Sequence, residues 1–226
     1  MIFLGIESSG EDAGVALVRE DGVIGSLLSQ GKRNHSVVLA SMVQDLLKAQ
    51  GMVLGDLAGI SVDVGPGSFT GIRIGMTLAA SLAYGADLPL VGVTSLEVLA
   101  HRGKQLHPGL VIPLIHARQD EVYVRVSGKE RVVAIGALLD ELGESLLEER
   151  ILFIGDGALA LADRIRERGF MALPLEKADA YPTGIGVGQC GLVSFGKGIL
   201  QDPFSLEANY LRRTEAEVNL ERKLQG

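Results

Sequence analysis

Short apolar runs separated by small polar turns open the chain, and helical stretches then alternate with further short runs. Residues 1–6 read as a strand, Glu7-Ser8-Ser9-Gly10-Glu11-Asp12 as its turn, and residues 13–18 as the returning strand. Asp21-Gly22 is a strong hairpin signal, and residues 23–29 offer a third strand. Residues 35–50 carry Val38, Met42, Leu46 and Leu47 on one helical stripe, widened by Leu39 and Val43. That stripe is broader than packing on a single sheet demands. Ser36 is placed to cap this helix and Gly51 to stop it. Residues 60–64 predict a buried strand, and residues 76–84 the body of a helix starting near Thr70. Residues 89–93 form the next strand, and Thr94 or Ser95 caps a helix over 96–102 with Glu97 in its favoured first turn.

A polar stretch at 103–109, containing Pro108, marks the expected boundary between domains 1–103 and 104–226. Beyond it, residues 110–115, 116–120 and 121–126 repeat the opening strand, turn and strand, a pattern of duplicated lobes. A helix over 134–149, a strand over 151–154, a turn at 155–157, a helix over 158–168 and a glycine-rich helix over 184–200 complete the plan. Residues 201–226 are polar and end charged.

Composition narrows the chemistry. With 47% hydrophobic residues, 4% aromatics, no Trp and 30 glycines, the core must rely on aliphatic side chains in close backbone packing, which suits an α/β protein. A net charge of −7 disfavours an independent grip on nucleic acid, because that affinity comes from neutralised phosphates. A lone Cys190 beside Gly191 and Leu192 excludes an internal disulfide framework and reads as a small packed residue. It fits a reducing compartment. No apolar run reaches the eighteen or so residues of a membrane span, so a cytoplasmic protein is expected.

The chemically distinctive stretch is Asp63-Val64-Gly65-Pro66-Gly67-Ser68-Phe69-Thr70-Gly71-Ile72-Arg73-Ile74-Gly75. Strand, glycine turn and helix in that order aim backbone N–H groups at an anion. The glycines at 65, 67 and 71 nevertheless miss the dinucleotide spacing by one residue, and no Lys-Ser/Thr pair follows. A structural turn and a phosphate cradle both stay open. Pro66 lacks an N–H, so free donors begin at Gly67. Arg73 opposes the helix dipole by about 0.3–1 kcal/mol. An anion, a carboxylate such as Asp63 or a partner protein would offset that, unless Arg73 simply reaches solvent. Gly75, Ala79 and Ala83 recur at spacing four beside Ala80, allowing close approach of another helix from this chain or a partner. His35, His101, His107 and His116 are dispersed, and the residue four beyond His35 is Leu39, so no helical metal pair exists. Ser8, Ser9 and Ser68 lie in turns, outside any nucleophile elbow.

Taken whole, GPGSFTGIRIG resembles the bacterial TsaB (formerly YeaZ) family, whose members take part in making threonylcarbamoyladenosine in tRNA. The resemblance extends to LGIESS, Arg33-Asn34-His35-Ser36, Thr94-Ser95-Leu96-Glu97, Ala117-Arg118-x-x-Glu121-Val122-Tyr123 and Tyr210-Leu211-Arg212. Departures are Glu7 where Asp is commoner, His116 where Asp is usual, and Ala208-Asn209 where proline often precedes the Tyr-Leu-Arg. The resemblance implies a two-lobed actin/hexokinase/Hsp70-like (ASKHA) α/β fold with duplicated ribonuclease-H-like lobes, the second reduced. It also implies a non-catalytic scaffold and activator of the paralogue TsaD, because the His-x-x-x-His metal pair of TsaD is missing. A TsaE-type ATPase would be a further partner, a homodimer would form in the absence of TsaD, and tRNA would be reached only indirectly. With the wide stripe and the small-residue register, it places the partner interface at His35, Val38, Leu39, Met42, Leu46, Arg73, Met76, Ala79, Ala80 and Ala83. Ala79→Leu would then weaken the complex. In the superfamily, turns of both lobes contact phosphates and an acid ending the first strand handles metal-bound water. By that analogy Glu7, Ser8, Ser9, Gly65, Gly67, Ser68, Thr70 and Gly71 form the anion loop, with no metal expected, weak ATP or ADP binding left open and ATP turnover not expected. An ATP-dependent kinase of the same superfamily and a glycoprotease-like hydrolase are the alternatives.

Overall fold

The computed structural model describes residues 1–31, 35–145, 151–170 and 180–212, without the side chains of residues 35, 36, 144 and 145. The first sheet holds β1 (Ile2–Glu7), β2 (Ala13–Arg19), β3 (Gly22–Ser29), β4 (Gly59–Asp63) and β5 (Leu90–Val93), in the order β3-β2-β1-β4-β5. The first three strands form an antiparallel meander, and β4 and β5 join parallel to β1. The connection from β3 to β4 carries α1 (His35–Ala49), that from β4 to β5 carries α2 (Phe69–Ala86), and α3 (Ser95–Leu106) leads out of the sheet. The second sheet repeats the plan one strand short: β6 (Leu110–Arg118), β7 (Glu121–Val126) and β8 (Lys129–Ala134) meander, and β9 (Ile151–Ile154) pairs parallel with β6. The remaining helices are α4 (Ile135–Ser145), α5 (Asp156–Ala160), α6 (Ala162–Glu167) and α7 (Gly184–Gly196).

Both faces of the first sheet are covered, which is why β1 and β4 are apolar almost throughout. Side-chain alternation splits the core accordingly. Leu4, Ile6, Val15 and Leu17 face α1 and α2, while Phe3, Ala16, Val18, Val91 and Val93 face α3 and α7. The wide stripe of α1 is consumed inside the chain: Leu39, Met42, Val43, Leu46 and Leu47 are all buried, because α1 packs on β2, β3 and α2 together.

The glycines of α7 have a comparable reason. A Cβ on Gly5 would collide with the backbone of Gly184 and Gly188, so helix and strand meet backbone to backbone. Ser61 Oγ donates to the Val187 carbonyl at 3.1 Å in the same contact. Although α7 lies beyond residue 104, it covers the first sheet, so the second sheet is inserted between α3 and α7. A division at residue 103 sets α7 apart from the strands it covers.

Three elements differ from the sequence expectation. The strand β8 is additional to it, the helix expected over 158–168 breaks at Leu161 into α5 and α6, and α7 stops at Gly196. The expected helix over 134–149 and the charged tail fall partly outside the described residues. Among the described residues no helix is long and apolar enough to cross a membrane.

Candidate functional site

The glycine motif sits where β4 ends, at the first-lobe wall of a cleft between the two sheets. Ser68 caps α2, its Oγ accepting the Gly71 N–H at 3.3 Å, and its own N–H donates to the Ser9 carbonyl at 2.7 Å. Ser8 Oγ donates to the Gly71 carbonyl at 2.8 Å. A Cβ on Gly67 would strike Ser9, and one on Gly71 would strike the Ser8 carbonyl. Glycine at 67 and 71 thus lets the β1–β2 turn lie directly on the first turn of α2. Two donors of the expected anion loop, the N–H groups of Ser68 and Gly71, are already committed to that packing.

Of the eight loop residues, Ser9, Gly67, Ser68, Thr70 and Gly71 line the cleft, a cavity of about 700 Å³ closed from the second lobe by His116, Tyr123 and Asp156. Glu7, Ser8 and Gly65 lie beneath it, and this corrects their placement in the loop: each is buried in the contact between the two turns. On the second-lobe side, His116 donates its backbone N–H to Asp156 Oδ1 at 3.0 Å. Its Nε2 meets the Gln119 carbonyl at 3.0 Å, so that nitrogen carries the proton. Burial raises the Asp156 carboxyl above its ordinary value despite these bonds.

Under the cleft, two carboxyl groups face each other. Glu7 is 3% and Asp63 1% exposed. Glu7 Oε1 accepts the Ser9 N–H at 2.6 Å, the Ser9 hydroxyl at 2.7 Å and the Gly10 N–H at 3.2 Å. Asp63 Oδ1 accepts from Gly65 N–H at 2.6 Å and Ser95 Oγ at 2.7 Å. Glu7 Oε2 is buried with no hydrogen-bond partner. Burial, and then the charge of Asp63, push Glu7 well above the usual carboxylate range. Burial also raises Asp63, where hydrogen bonds from Glu7, Gly65, Ser95 and Ser9 oppose the shift. Burying two facing carboxyls in this way favours keeping a proton on the pair. Among the described residues no three His, Cys, Asp or Glu side chains converge as a metal site requires. Burial pushes the Cys190 thiol up to about 12, which suits an inert packed residue.

Arg73 does not reach Asp63. Its guanidinium lies 3.9 Å over the Phe69 ring, and its Nε donates to the Tyr210 hydroxyl at 3.1 Å. Tyr210 stacks on Phe69 with ring centroids 5.2 Å apart. An exposed cation–π contact contributes about 0.5–1 kcal/mol, enough to offset the unfavourable helix-dipole position of about 0.3–1 kcal/mol.

The expected interface residues divide. Leu39, Met42, Leu46, Ala79 and Ala83 are core, a correction to their assignment as partner surface. Gly75, Ala79 and Ala83 face inward so that α2 can sit close on β1 and β4; a Cβ on Gly75 would meet Ser8 Oγ. Val38, Met76 and Ala80 are half-buried and Arg73 is exposed, while the side chain of His35 lies outside the described residues. The outward stripe of α2 is instead Phe69, Arg73, Thr77, Ser81 and Tyr84. It forms a ridge between two grooves, one of about 630 Å³ against α1 with Leu39, Ile74 and Leu78, the other of about 520 Å³ against residues 203–210. Its i, i+4 spacing is present in the sequence, one helical face away from the alanines.

Sequence reasoning also missed Glu130 on β8. It accepts from Thr94 Oγ1 at 2.5 Å, Arg125 at 2.8 Å and Asn209 Nδ2 at 2.6 Å. The available signal was Ser127-Gly128, both left-handed, between two alternating runs.

Two sheets of one plan, each a meander completed by parallel pairing and facing a shared cleft, define a two-lobed α/β protein of the actin, hexokinase and Hsp70 class. The family model for TsaD, tRNA N6-adenosine threonylcarbamoyltransferase, matches residues 20–187. The tRNA threonylcarbamoyladenosine biosynthesis protein TsaB of Bacillus subtilis is 45% identical over 123 residues, 54% of this chain and 53% of that relative. TsaB of Buchnera aphidicola (from Acyrthosiphon pisum) is 31% identical over 153 residues, 67% of each chain. A crystal structure of an uncharacterised Pseudomonas aeruginosa protein, described as similar to the peptidase YeaZ, superposes with a TM-score of 0.76 at 26% identity, covering 93% of this chain and 99% of that one. The chain belongs to the TsaB (YeaZ) family. It spans about half the length of the Bacillus relative, 53%, and two thirds, 67%, of the Buchnera one.

Proposed function

We propose that the chain is a non-catalytic activator subunit in the synthesis of threonylcarbamoyladenosine in tRNA, acting by docking a TsaD-type threonylcarbamoyltransferase on the outer face of α2. The observation that carries this reading is the state of Glu7. It occupies the end of β1, where a superfamily enzyme would present a carboxylate to the cleft, yet it is buried beneath the cleft floor, with Oε1 taken up by Ser9 and Gly10. An acid held there is not presented to a metal-bound water in the cleft. The docking face has positive features: an exposed ridge of Phe69, Arg73, Thr77, Ser81 and Tyr84 with an apolar groove on either side. Met76 and Ala80 border one groove, and Val38 lies on the neighbouring helix α1. A TsaE-type ATPase joins as a further partner, and tRNA is reached through the transferase. Without the transferase the same face serves a second copy of the chain. The first lobe, residues 1–103 together with α7, supplies this face, and the inserted second sheet forms the smaller lobe.

The test combines the purified chain with its cognate transferase, reading complex formation by light scattering and modified nucleoside by mass spectrometry. The chain alone should make no modified nucleoside, and Thr77→Arg, in the middle of the ridge, should reduce both complex and product. Modification by the chain alone, or an unaltered complex with Thr77→Arg, overturns the proposal.

A further inference from the structure

Residues 201–212 run along the first lobe and then tie it to the second. Gln201 pairs with Leu90 at the β5 edge and accepts the Gly92 N–H at 2.7 Å. Phe204 packs edge-on against Tyr84 of α2, with ring centroids 5.0 Å apart. Residues 209–212 then make contacts on both lobes. Asn209 donates its backbone N–H to the Val64 carbonyl at 2.7 Å, beside the glycine motif, and its Nδ2 to Glu130 of β8 at 2.6 Å. Tyr210 stacks on Phe69 and accepts from Arg73, both on α2. Leu211 enters the apolar cluster of Leu96, Leu99, Ile115 and Leu152 between the lobes. Arg212 pairs with Glu121 of β7 at 3.4 Å.

Glu130 gives this run a fixed anchor. Its side chain is only 10% exposed, and it also accepts from Thr94, the cap of α3, and from Arg125, which reaches on to Glu97 at 3.2 Å. One half-buried carboxylate therefore binds a first-lobe helix cap, a second-lobe strand and the C-terminal segment. Charge-assisted bonds of this kind are geometrically exacting. A displacement of Tyr210 by more than a side-chain rotation moves Asn209 with it, because the two are adjacent in the chain.

We propose that residues 209–212 form a latch coupling the outer face of α2 to the separation of the two lobes. With Tyr210 seated on Phe69 and Arg73, Asn209 holds Glu130 and the lobes keep one spacing. When Tyr210 is lifted off, the Glu130 contact loosens and the cleft lined by Ser68, Thr70 and His116 changes width. A protein docking on the ridge would meet Tyr210 directly, so the use of the latch as regulation rests on the docking reading above; the latch itself does not. Coupling of this kind is reciprocal, so a change in the cleft would also bias Tyr210.

The experiment measures lobe separation in the full chain alone. Spin labels are placed at Lys48→Cys on α1 and Glu167→Cys on α6, both exposed, in a Cys190→Ala background, and distances are read by double electron–electron resonance. The parent should give one narrow distribution. Tyr210→Ala and Phe69→Ala alter only the α2 end, yet each should broaden it as Asn209→Ala does, while Tyr210→Phe, which keeps the stack, stays near the parent. Circular dichroism confirms that each variant melts cooperatively, and one that does not is replaced by the other. An unchanged distribution in the α2-end variants, whether or not Asn209→Ala broadens it, overturns the latch. Broadening in a chain that binds no transferase would support the latch and remove only the docking reading.

Discussion

Glu7→Gln should make the protein more stable, and increasingly so as pH rises. In the parent, Glu7 Oε1 is fully engaged with Ser9 and Gly10, and Oε2 faces Asp63, satisfied only while a proton is held between the two carboxyls. Once that proton is lost, the unsatisfied buried oxygen costs about 1–3 kcal/mol. Glutamine keeps the engaged oxygen and replaces the orphan with an N–H₂ that can donate to the Asp63 carboxylate. Proton linkage adds a pH dependence with a definite sign. The unfolded chain releases the Glu7 proton near its ordinary 4.5, whereas burial and Asp63 keep it bound well above that in the folded state. Over that interval the folded state holds more protons, so parent stability falls with rising pH until the folded pKa is passed. A glutamine side chain does not titrate, so the variant escapes that fall. The gain at about pH 8 should be about 1–3 kcal/mol, which at about 2–4 °C per kcal/mol for a chain of this size raises the melting midpoint by about 2–12 °C. Thermal melts of both proteins at about pH 5 and about pH 8 provide the comparison. A variant less stable than the parent at the higher pH, or a difference that is the same at both, would refute the upward shift of the Glu7 carboxyl.

Other substitutions test the remaining claims. Ala79→Leu should lower stability by about 1–3 kcal/mol through overpacking against β4, seen as a reduced melting temperature in the chain alone, so a weakened complex in this variant would not report on an interface. Thr77→Arg should leave the melt within about 0.5 kcal/mol of the parent while weakening the transferase complex at least about tenfold, or about 1.4 kcal/mol, by calorimetry. Gly5→Ala should lift α7 off β1 and destabilise by more than about 2 kcal/mol, measured by urea unfolding. Cys190, half-buried with its thiol pushed up to about 12, should react with a thiol reagent at neutral pH more slowly in the folded chain than in urea, read by the rate of thiol labelling.

The fold was legible because its lobes repeat a local code. Apolar runs separated by Asp21-Gly22 and by the polar turn after β1 encode a meander without reference to anything distant. The strand β8 was less visible, since Lys129, Glu130 and Arg131 make its start look like a solvated turn. Only the fold shows that Glu130 is needed by Thr94 and Asn209. The candidate site was legible as a stretch and misread by face. Apolar width on α1 and small residues on α2 are signals for close packing, and sequence cannot say whether the neighbour is another part of the chain. Here the neighbours of Leu39, Met42, Ala79 and Ala83 are the first sheet and each other's helix. The exposed ridge carries threonine, serine and arginine, residue types that ordinarily mark a solvated surface. Arg73 illustrates the remaining gap, because its partners Phe69 and Tyr210 are four and 137 residues away, and only the first spacing can be read from periodicity.

The return of α7 to the first sheet sets an order of manufacture. When the ribosome has delivered β5, the strands are present but Phe3, Val18, Val91 and Val93 still look onto water on the side that α7 will occupy. That side must wait for the whole second sheet to be synthesised. A nascent fragment ending near residue 106 should therefore be sticky and protease-sensitive, and a peptide spanning residues 184–196, added separately, should rescue it. The first lobe therefore does not mature as an independent product, so damage to the second is felt in its assembly.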